Sequence, residues 1–138
     1  MKVLVDTSVW SLALRRRPAA PASGVALELA SLIEDGRVVI VGPVRQELLS
    51  GLRERAQFER LRRHLMSFPD LALEAADYEE AAASFNRCRQ RGLQGSNTDF
   101  LLCAVAARRG FSLFTTDADF GRFAEVLPLL LHAPGAGG

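Results

Sequence analysis

Short apolar runs alternate with longer amphipathic stretches along this chain. Each short run is rich in β-branched residues or leucine and is bounded by charged or turn residues, which is typical of a strand. The third run, "LALE", carries the weakest signal, and the fourth, "SLFT", is soon followed by two aspartates. The pattern predicts five strands, at residues 2–5, 37–41, 71–74, 112–115 and 127–132.

The stretches between these runs place apolar residues at helical spacing. Asp6 or Thr7 is the expected cap of the first helix, which Pro18 closes, and Asn97 or Thr98 is the expected cap of the sixth. We expect helices at residues 6–17, 23–35, 42–52, 55–68, 75–92 and 96–110, and a short helical turn at 118–123.

Buried strands that alternate with helices predict an α/β fold, in which a central parallel five-stranded sheet is flanked by helices on both faces. We expect one domain over residues 1–132, because a chain of 138 residues is the size of one core and no linker divides it. Residues 133–138, "APGAGG", are expected to be disordered. In open sheets of this kind, ligands bind beyond the carboxyl ends of the strands.

The composition is that of an ordinary globular protein, with 49% hydrophobic and 24% charged residues. No apolar stretch approaches the roughly 20 residues that span a bilayer, and the opening "MKVLVD" reaches an acid too soon for a secretory signal. We therefore expect a cytoplasmic protein without membrane contact. Cys88 and Cys103 lack metal-ligand spacing and are expected to be buried free thiols, while His64 and His132 are isolated, so a zinc site has little basis.

Positive charge in this chain is almost entirely arginine, since Lys2 is the sole lysine. The guanidinium group suits phosphate and carboxylate, but a formal net charge of +1 gives little support for general nucleic-acid affinity. The arginine clusters fit either solvated helix faces or a phosphate-binding surface; they are Arg15, Arg16 and Arg17; Arg53, Arg55, Arg60, Arg62 and Arg63; Arg87, Arg89 and Arg91; and Arg108 and Arg109.

Acidic residues follow the predicted strands or open the predicted helices. Each has an ordinary explanation as a helix cap, a turn residue or an exposed surface residue. If the first and fourth strands are neighbours, however, these acids lie at one edge of the sheet, where they repel one another and raise one another's pKa. The acids are Asp6, Glu47, Asp99, Asp117 and Asp119.

A divalent cation would remove this repulsion. Mg²⁺ takes oxygen ligands in octahedral geometry and is typically held by a few carboxylates together with phosphates. A carboxylate site without His or Lys indicates metal-assisted hydrolysis of a phosphodiester, with a metal-activated water as the nucleophile. If water attacks the phosphorus directly, the nucleic-acid strand need not cyclise through its own 2′-hydroxyl.

Four segments resemble, in order, the successive motifs of the PIN-domain ribonucleases. They are "VLVDTSVW" at residues 3–10, "VRQELLSGL" at 44–52, "TDFLLCAVAARRG" at 98–110 and "LFTTDADF" at 113–120. The short length and the "DTSVW" opening are most similar to the VapC toxins of bacterial toxin–antitoxin modules. The resemblance covers residues 2 to about 131, and it is the ordered set, not any single motif, that is specific.

The resemblance implies a Mg²⁺- or Mn²⁺-dependent endoribonuclease with a PIN-like fold. It implies catalytic and metal-binding roles for four main acids, Asp6, Glu47, Asp99 and Asp117, with Asp119 as a frequent fifth ligand. It also implies that hydroxyls orient these acids or contact phosphate, at Thr7 or Ser8 and at Thr115.

The same resemblance implies three partners. They are RNA, cut in single-stranded segments or loops and often tRNA or another structured RNA; a second copy of the chain, in a homodimer; and a VapB-type antitoxin that wraps the toxin. The antitoxin groove is expected around the third and fourth helices, although its candidate residues also fit an ordinary core stripe. Those candidates are Leu48, Leu49, Leu52, Leu61 and Leu65.

Three alternatives are weighed against this function. A receiver-type phosphoacceptor domain needs a lysine at the carboxyl edge of its sheet, but Lys2 lies at the opposite end of the first strand. A non-catalytic RNA- or protein-binding PIN module would keep the fold without the activity, and the intact acids argue against it. A PIN nuclease of RNA processing or decay outside a toxin–antitoxin module would differ only in its genomic neighbour.

Overall fold

The computed structural model describes residues 1–14 and 23–134. The arginine cluster at residues 15–17, the predicted helix end at Pro18 and residues 135–138 of the predicted tail lie outside the described residues. No helix in the two described ranges is long and apolar enough to cross a membrane. The elements follow in the order β1 (Val3–Val5), α1 (Thr7–Leu14), α2 (Gly24–Glu34), β2 (Val38–Val39), α3 (Gly42–Leu49), α4 (Arg55–Leu65), α5 (Ala75–Gln90), α6 (Asn97–Arg109), β3 (Ser112–Phe114) and α7 (Asp119–Phe123).

The three strands form one parallel sheet in the order β2-β1-β3. Val3 of β1 lies opposite Val38 of β2 on one side, and Val5 lies opposite Phe114 of β3 on the other. All of β1 is buried, as the central strand of a covered parallel sheet should be. The first and fourth apolar runs are therefore neighbours, which is the condition under which the acids share one edge of the sheet.

Two groups of helices cover this sheet. α1 and α2 connect β1 to β2 on one side, whereas α3 to α6 lead from β2 back across to β3 on the other. Right-handed crossovers that run in opposite directions lie on opposite faces of a sheet, so helices flank both faces. α6 is the most buried of the helices: it packs against α5 and β3, and residues 100–106 are buried without a break.

The sheet has three strands within the described residues, whereas the sequence predicted five. Of the other two predicted strands, the last pairs through a single bridge, whereas the third, at 71–74, is only preceded by one. Asp70 lies beside Ile40 at one edge, and Leu131 lies beside Leu113 at the other. The order of the five segments is therefore that of a parallel sheet, but the two outermost segments are too briefly paired to be strands.

Competing interactions explain why the edge segments pair so briefly. The Ala72 carbonyl oxygen accepts a hydrogen bond from the Arg109 side chain, at 3.0 Å from Nη2, which competes with pairing to a neighbouring strand. At the other edge, Pro128 has no N–H to donate. The second strand also differs from the prediction in burial, because Val38 and Val39 are only half-buried.

The predicted N-cap of α6 was wrong. Neither Asn97 nor Thr98 is its N-cap; Ser96 is. Ser96 Oγ accepts a hydrogen bond from the Asp99 N–H at 3.1 Å, and Asp99 Oδ2 accepts one from the Ser96 N–H at 3.0 Å. Ser96 takes this position because an acid three residues later completes the reciprocal capping box.

Arg45 of α3 explains why α4 ends at Leu65 rather than at Phe68. Its guanidinium donates to the carbonyl oxygens of Leu65, at 3.1 Å, and of Phe68, and it pairs with the Asp70 carboxylate at 2.9 Å. These bonds satisfy carbonyl groups at and beyond the carboxyl end of the helix, where donors within the helix run out. Arg45 thereby ties the end of α4 to α3.

Trp10 and the two cysteines lie in the hydrophobic core. Trp10 is 1% exposed and contacts Phe68 edge to face, with ring centroids 5.2 Å apart, so it belongs to the core rather than to a surface that stacks bases. Cys88 on α5 and Cys103 on α6 are buried free thiols, as predicted. Burial raises the pKa of both thiols, so they stay protonated at neutral pH.

Asp77, in the first turn of α5, is a fully buried carboxylate. Its Oδ2 accepts hydrogen bonds from the Glu74 N–H at 2.8 Å and from Arg109 Nη2 at 2.7 Å, and its Oδ1 accepts one from Arg108. Burial acts to raise the pKa of this carboxyl, but these donors outweigh burial and lower the pKa. The ion cluster fastens the start of α5 to the end of α6.

We expect Asp77→Asn to lower the free energy of unfolding by about 3 kcal/mol, because two guanidinium groups lose a buried counter-charge. Urea denaturation at about pH 7 measures this change. A lowered folded-state pKa stabilises the protein above the unfolded pKa of about 3.9, and that stabilisation is lost as the pH falls through the folded-state value. The difference between the two proteins should therefore shrink as the pH is lowered.

Glu59→Gln is the matched control for this prediction. Glu59 pairs with Arg62 at 3.0 Å, but both side chains are more than 40% exposed, so this variant should change the stability little. Equal losses in the two variants would contradict a special role for the buried cluster.

Candidate active site

Asp6 ends β1 and is 6% exposed, at the carboxyl edge of the sheet. Its Oδ2 accepts hydrogen bonds from Ser8 Oγ at 2.7 Å and from Thr115 Oγ1 at 2.8 Å. The Asp6 N–H donates to the Phe114 carbonyl at 2.9 Å, as β1 and β3 run together. Two hydroxyls from two strand ends thus fix the orientation of this carboxylate without neutralising it.

The same hydroxyls hold the loop that follows β3. The Thr116 N–H donates to Ser8 Oγ at 3.0 Å, and the Asp117 N–H donates to Thr115 Oγ1 at 3.0 Å. A short hydrogen-bond network therefore connects Asp6 to the residue that carries the Asp117 carboxylate.

Asp117 and Asp119 lie close together through a local turn. Asp117 Oδ1 accepts a hydrogen bond from the Asp119 N–H at 2.9 Å, and the Asp119 carboxylate forms an exposed ion pair with Arg122, one turn further along α7. Asp117 thus opens α7, whereas the charge of Asp119 already has a partner in this structure. Of the two, Asp117 is the acid that faces the other carboxylates, because its charge acts on Asp99.

Glu47 approaches the site from α3. It is exposed, and its Oε1 accepts a hydrogen bond from Thr7 Oγ1 at 2.7 Å. Thr7 immediately follows Asp6, so this bond holds α3 against the start of α1 and brings Glu47 to the same edge of the sheet. The Thr7 and Ser8 hydroxyls consequently have different partners, although the sequence analysis treated them as interchangeable.

Asp99 lies in the first turn of α6 and is half-buried. Its pKa is raised, chiefly because burial disfavours the charged form and further because the charges of Asp6 and Asp117 repel it; the capping bonds with Ser96 act in the opposite direction. Three carboxylates from three parts of the chain therefore share one electrostatic environment.

This donor set suits a hard divalent cation. Every candidate side chain is a carboxylate or a hydroxyl, which are ligands that Mg²⁺ and Mn²⁺ prefer. The repulsion that raises the pKa of Asp99 is one that a cation would relieve. Within residues 1–14 and 23–134, no three His, Cys, Asp or Glu side chains are already arranged to hold a metal ion. Carboxylates that repel one another are expected to stand apart until a cation draws them together.

A chain of aromatic rings supports the site from below. Phe100 of α6 packs on Phe123 of α7 with ring centroids 4.8 Å apart, and Phe123 packs on Phe120 at 5.4 Å. Gly95 allows this contact, because a Cβ there would lie 2.8 Å from Phe123 Cζ and 3.0 Å from Phe100 Cε2. Sequence reasoning missed Gly95, for which the only signal was a glycine one position before the α6 cap.

A cavity of about 400 Å³ opens beside Glu47, and it only partly matches the predicted antitoxin groove. Three of the predicted residues line it: Leu48, Leu52 and Leu61. The prediction was wrong for Leu65, which is fully buried in the core, and Leu49 is not part of the lining. Sequence reasoning missed the polar members of the lining, Ser11, Gln57 and His64, while Arg60 of the arginine cluster does border the cavity.

The position of Lys2 excludes the receiver-type alternative. Its Nζ donates to the Gly36 carbonyl oxygen at 2.8 Å, at the amino edge of the sheet and away from the acids. The lysine that such a domain needs is therefore absent from the carboxyl edge.

Gly95→Ala should destabilise the protein by about 1–3 kcal/mol, because its methyl group overpacks the Phe100 and Phe123 rings. Thermal unfolding measures the loss. Gly121→Ala is the matched control, since a Cβ at this exposed position of α7 meets nothing within 4 Å and alanine favours the helix. A destabilisation of the same size in both variants would point to α7 itself rather than to the rings.

Asp99→Asn should raise the melting temperature by a few degrees at about pH 7 in EDTA, because it keeps an acceptor for the Ser96 N–H but removes a repelled charge. An acid with a raised folded-state pKa costs stability above that pKa and none at low pH, where it is protonated in both states. The gain should therefore vanish in acid. Asp35→Asn, at an exposed position after α2, is the control, and a lower melting temperature for Asp99→Asn would refute the repulsion.

A family model described as "PIN domain" matches residues 3–126. The chain is 31% identical over 131 residues to "VapC ribonuclease Mb1587" of Mycobacterium bovis, and equally to "Ribonuclease VapC11" of Mycobacterium tuberculosis, with 92% of this chain and 95% of each relative covered.

Two solved structures illustrate the shared fold. VapBC2 from Rickettsia felis, "bound to a DNA fragment from their promoter", superposes with a TM-score of 0.76 at 20% identity, covering 96% of this chain and 98% of the other. FitAcB from Neisseria gonorrhoeae superposes with a TM-score of 0.74 at 21% identity, covering 98% and 99%. Identities this low establish the fold alone. The matched family model and the 31% identity across almost the whole chain show that this protein belongs to the PIN domain family and, within it, to the VapC group.

Proposed function

We propose that this protein is a metal-dependent endoribonuclease and the toxin component of a toxin–antitoxin module. The observation that carries the proposal is the position of Asp6, Asp99 and Asp117 at the carboxyl edge of a parallel sheet, where burial, and further the charges of Asp6 and Asp117, raise the pKa of Asp99. Repelled carboxylates cost stability, and they make sense as ligands for a cation. Membership of the PIN domain family, and relatives named as VapC ribonucleases, support RNA as the substrate.

The ion would be Mg²⁺ or Mn²⁺, held by Asp6, Asp99 and Asp117 with help from Glu47 and Asp119. When bound, such an ion lowers the pKa of a water molecule and offsets negative charge on the attacked phosphate. The residues of the chain supply orientation.

Hydroxyl groups provide that orientation. Ser8 and Thr115 both bind Oδ2 of Asp6, so Oδ1 is the oxygen left to face the ion. Thr7 keeps Glu47 at the edge of the site through its bond to Oε1. A metal-activated water as the nucleophile favours direct hydrolysis that leaves 5′-phosphate ends.

We further propose that a VapB-type antitoxin silences the enzyme, since solved neighbours include VapBC complexes. The cavity beside Glu47 is where we expect it to bind, because Leu48, Leu52 and Leu61 offer apolar surface and Glu47 itself forms part of the wall. Single-stranded loops of tRNA or other structured RNA remain the proposed substrate, and a homodimer in the cytoplasm the proposed form.

Purified protein should cut a total RNA pool in Mg²⁺ or Mn²⁺ and lose this activity in EDTA. Asp6→Asn keeps the shape and an acceptor for both hydroxyls but removes the charge, so we expect a rate loss on the order of a thousandfold. Cleavage is followed by gel, and the ends are tested with a 5′-phosphate-dependent exonuclease.

Asp35→Asn serves as the matched control, because Asp35 is an exposed aspartate after α2, outside the site. Cutting that survives EDTA or Asp6→Asn would sink the mechanism. Metal-dependent cutting with 2′,3′-cyclic ends would retain the nuclease but overturn direct hydrolysis. Coexpression with a small upstream DNA-binding protein that abolishes cutting would support the toxin role over that of a general processing enzyme.

A further inference from the structure

A second cavity, of about 440 Å³, lies between α5 and the first turn of α6. All ten of its lining residues are uncharged, which separates it from the carboxylate site and from the arginine-rich α4. The residues used below are Pro43, Tyr78, Phe85, Asn86, Asn97 and Thr98.

We propose that this cavity is a nucleobase subsite, which receives one base of the RNA strand near the scissile phosphate. The proposal rests on the ribonuclease function proposed above and adds to it where one part of the substrate binds. It is assigned from the position of the cavity, from its chemistry and from the charge around it.

The cavity lies close to the proposed catalytic acids. Asn97 and Thr98 immediately precede Asp99 in the first turn of α6, so the cavity lies around that turn from the proposed catalytic carboxylate. Pro43, in the first turn of α3, also lines the cavity and is one helical turn before Glu47. A strand that crosses the amino ends of these two helices can set a phosphate at the acids and a neighbouring base in the cavity. Helix amino ends also favour phosphate groups.

The wall of the cavity carries an aromatic ring and polar groups that can bind a base. Tyr78 is 54% exposed, and an exposed ring can stack on a base of any kind. Asn86 and Asn97 offer carboxamide donors and acceptors, and Thr98 offers a hydroxyl, which are the groups that read the edge of an unpaired base.

Rigidity and charge give the third argument. Phe85, in the wall, is fixed edge to face against Phe100 at a centroid distance of 5.4 Å, so the aromatic chain that supports α7 also supports this cavity. The Arg89 guanidinium lies 5.6 Å from the Phe85 ring centroid and puts a positive charge beside the neutral pocket. A neutral pocket with a cation at its side suits a base joined to a phosphate backbone better than it suits a charged ligand.

Binding without catalysis tests the subsite. The probes are a fluorescein-labelled random 12-nucleotide RNA and a 12-nucleotide ribose–phosphate strand without bases, measured by fluorescence anisotropy in EDTA. Wild type should bind the RNA more tightly than the base-free strand. Tyr78→Ala should weaken RNA binding about tenfold and leave the base-free strand unaffected, because one stacking contact is lost. Tyr78→Phe keeps the ring and should stay within about a factor of two of wild type.

Two further measurements separate base binding from an effect on catalysis and from a loss of structure. Metal-activated cleavage by Tyr78→Ala should show a raised KM with little change in kcat, because the chemistry is untouched. Asn86→Ala should change the relative affinity for poly(A), poly(U) and poly(C), which simple loss of structure would not do.

The outcomes are distinguishable. Wild-type cleavage together with equal binding of both strands, or with unchanged RNA binding by Tyr78→Ala, overturns the subsite and leaves the nuclease standing. A wild type that neither cuts nor binds RNA overturns both. If sedimentation shows that Tyr78→Ala converts a dimer into a monomer, the cavity is a contact between two copies of the chain, and the base-binding proposal is overturned.

Discussion

The candidate site depends on the convergence of carboxylates at one edge of the parallel sheet, where their charges repel one another. The pairing of β1 with β3 places Asp6 beside the loop of Asp117, and the first turn of α6 adds Asp99. The chain meets this repulsion with neutral donors, since the hydroxyls of Ser8 and Thr115 orient Asp6 without cancelling its charge. A guanidinium or ammonium group in the same place would satisfy the acids permanently and leave nothing for a cation to relieve. Elsewhere the chain does use arginine in this way, at Asp77, where the purpose is stability.

Local sequence was sufficient where an element follows from apolar periodicity or from a general rule of topology. The order of strands and helices, and the adjacency of β1 and β3, came from apolar periodicity and from the preference for right-handed crossovers. The same reasoning overestimated the edges of the sheet, because the Ala72 carbonyl is taken by Arg109, a residue 37 positions away that no local pattern reveals. The predicted cap of α6 was wrong because an acid three residues after Ser96 favours Ser96 as the cap over the two polar residues that follow it.

The candidate site was also predictable from the sequence only in part. The acids could be placed from the sequence because each follows a strand or opens a helix. What could not be read is which groups hold them: Thr7 reaches across to Glu47, 40 positions away, while its neighbour Ser8 turns to Asp6 and to the loop after β3. The leucine stripe was equally ambiguous, because an apolar helix face has the same spacing whether it enters the core, as Leu65 does, or lines a cavity, as Leu61 does.

Glu47 belongs to two environments at once, and this has a thermodynamic consequence. It bonds to Thr7 at the edge of the carboxylate site, and it also forms part of the wall of the cavity between α1, α3 and α4. A ligand of that cavity can therefore act on the site by turning one side chain, without reaching the other acids. Linkage is reciprocal: if such a ligand lowers the affinity for a cation by some factor, the cation lowers the affinity for the ligand by the same factor. The supply of divalent ions would then set how tightly the protein is held by its own inhibitor.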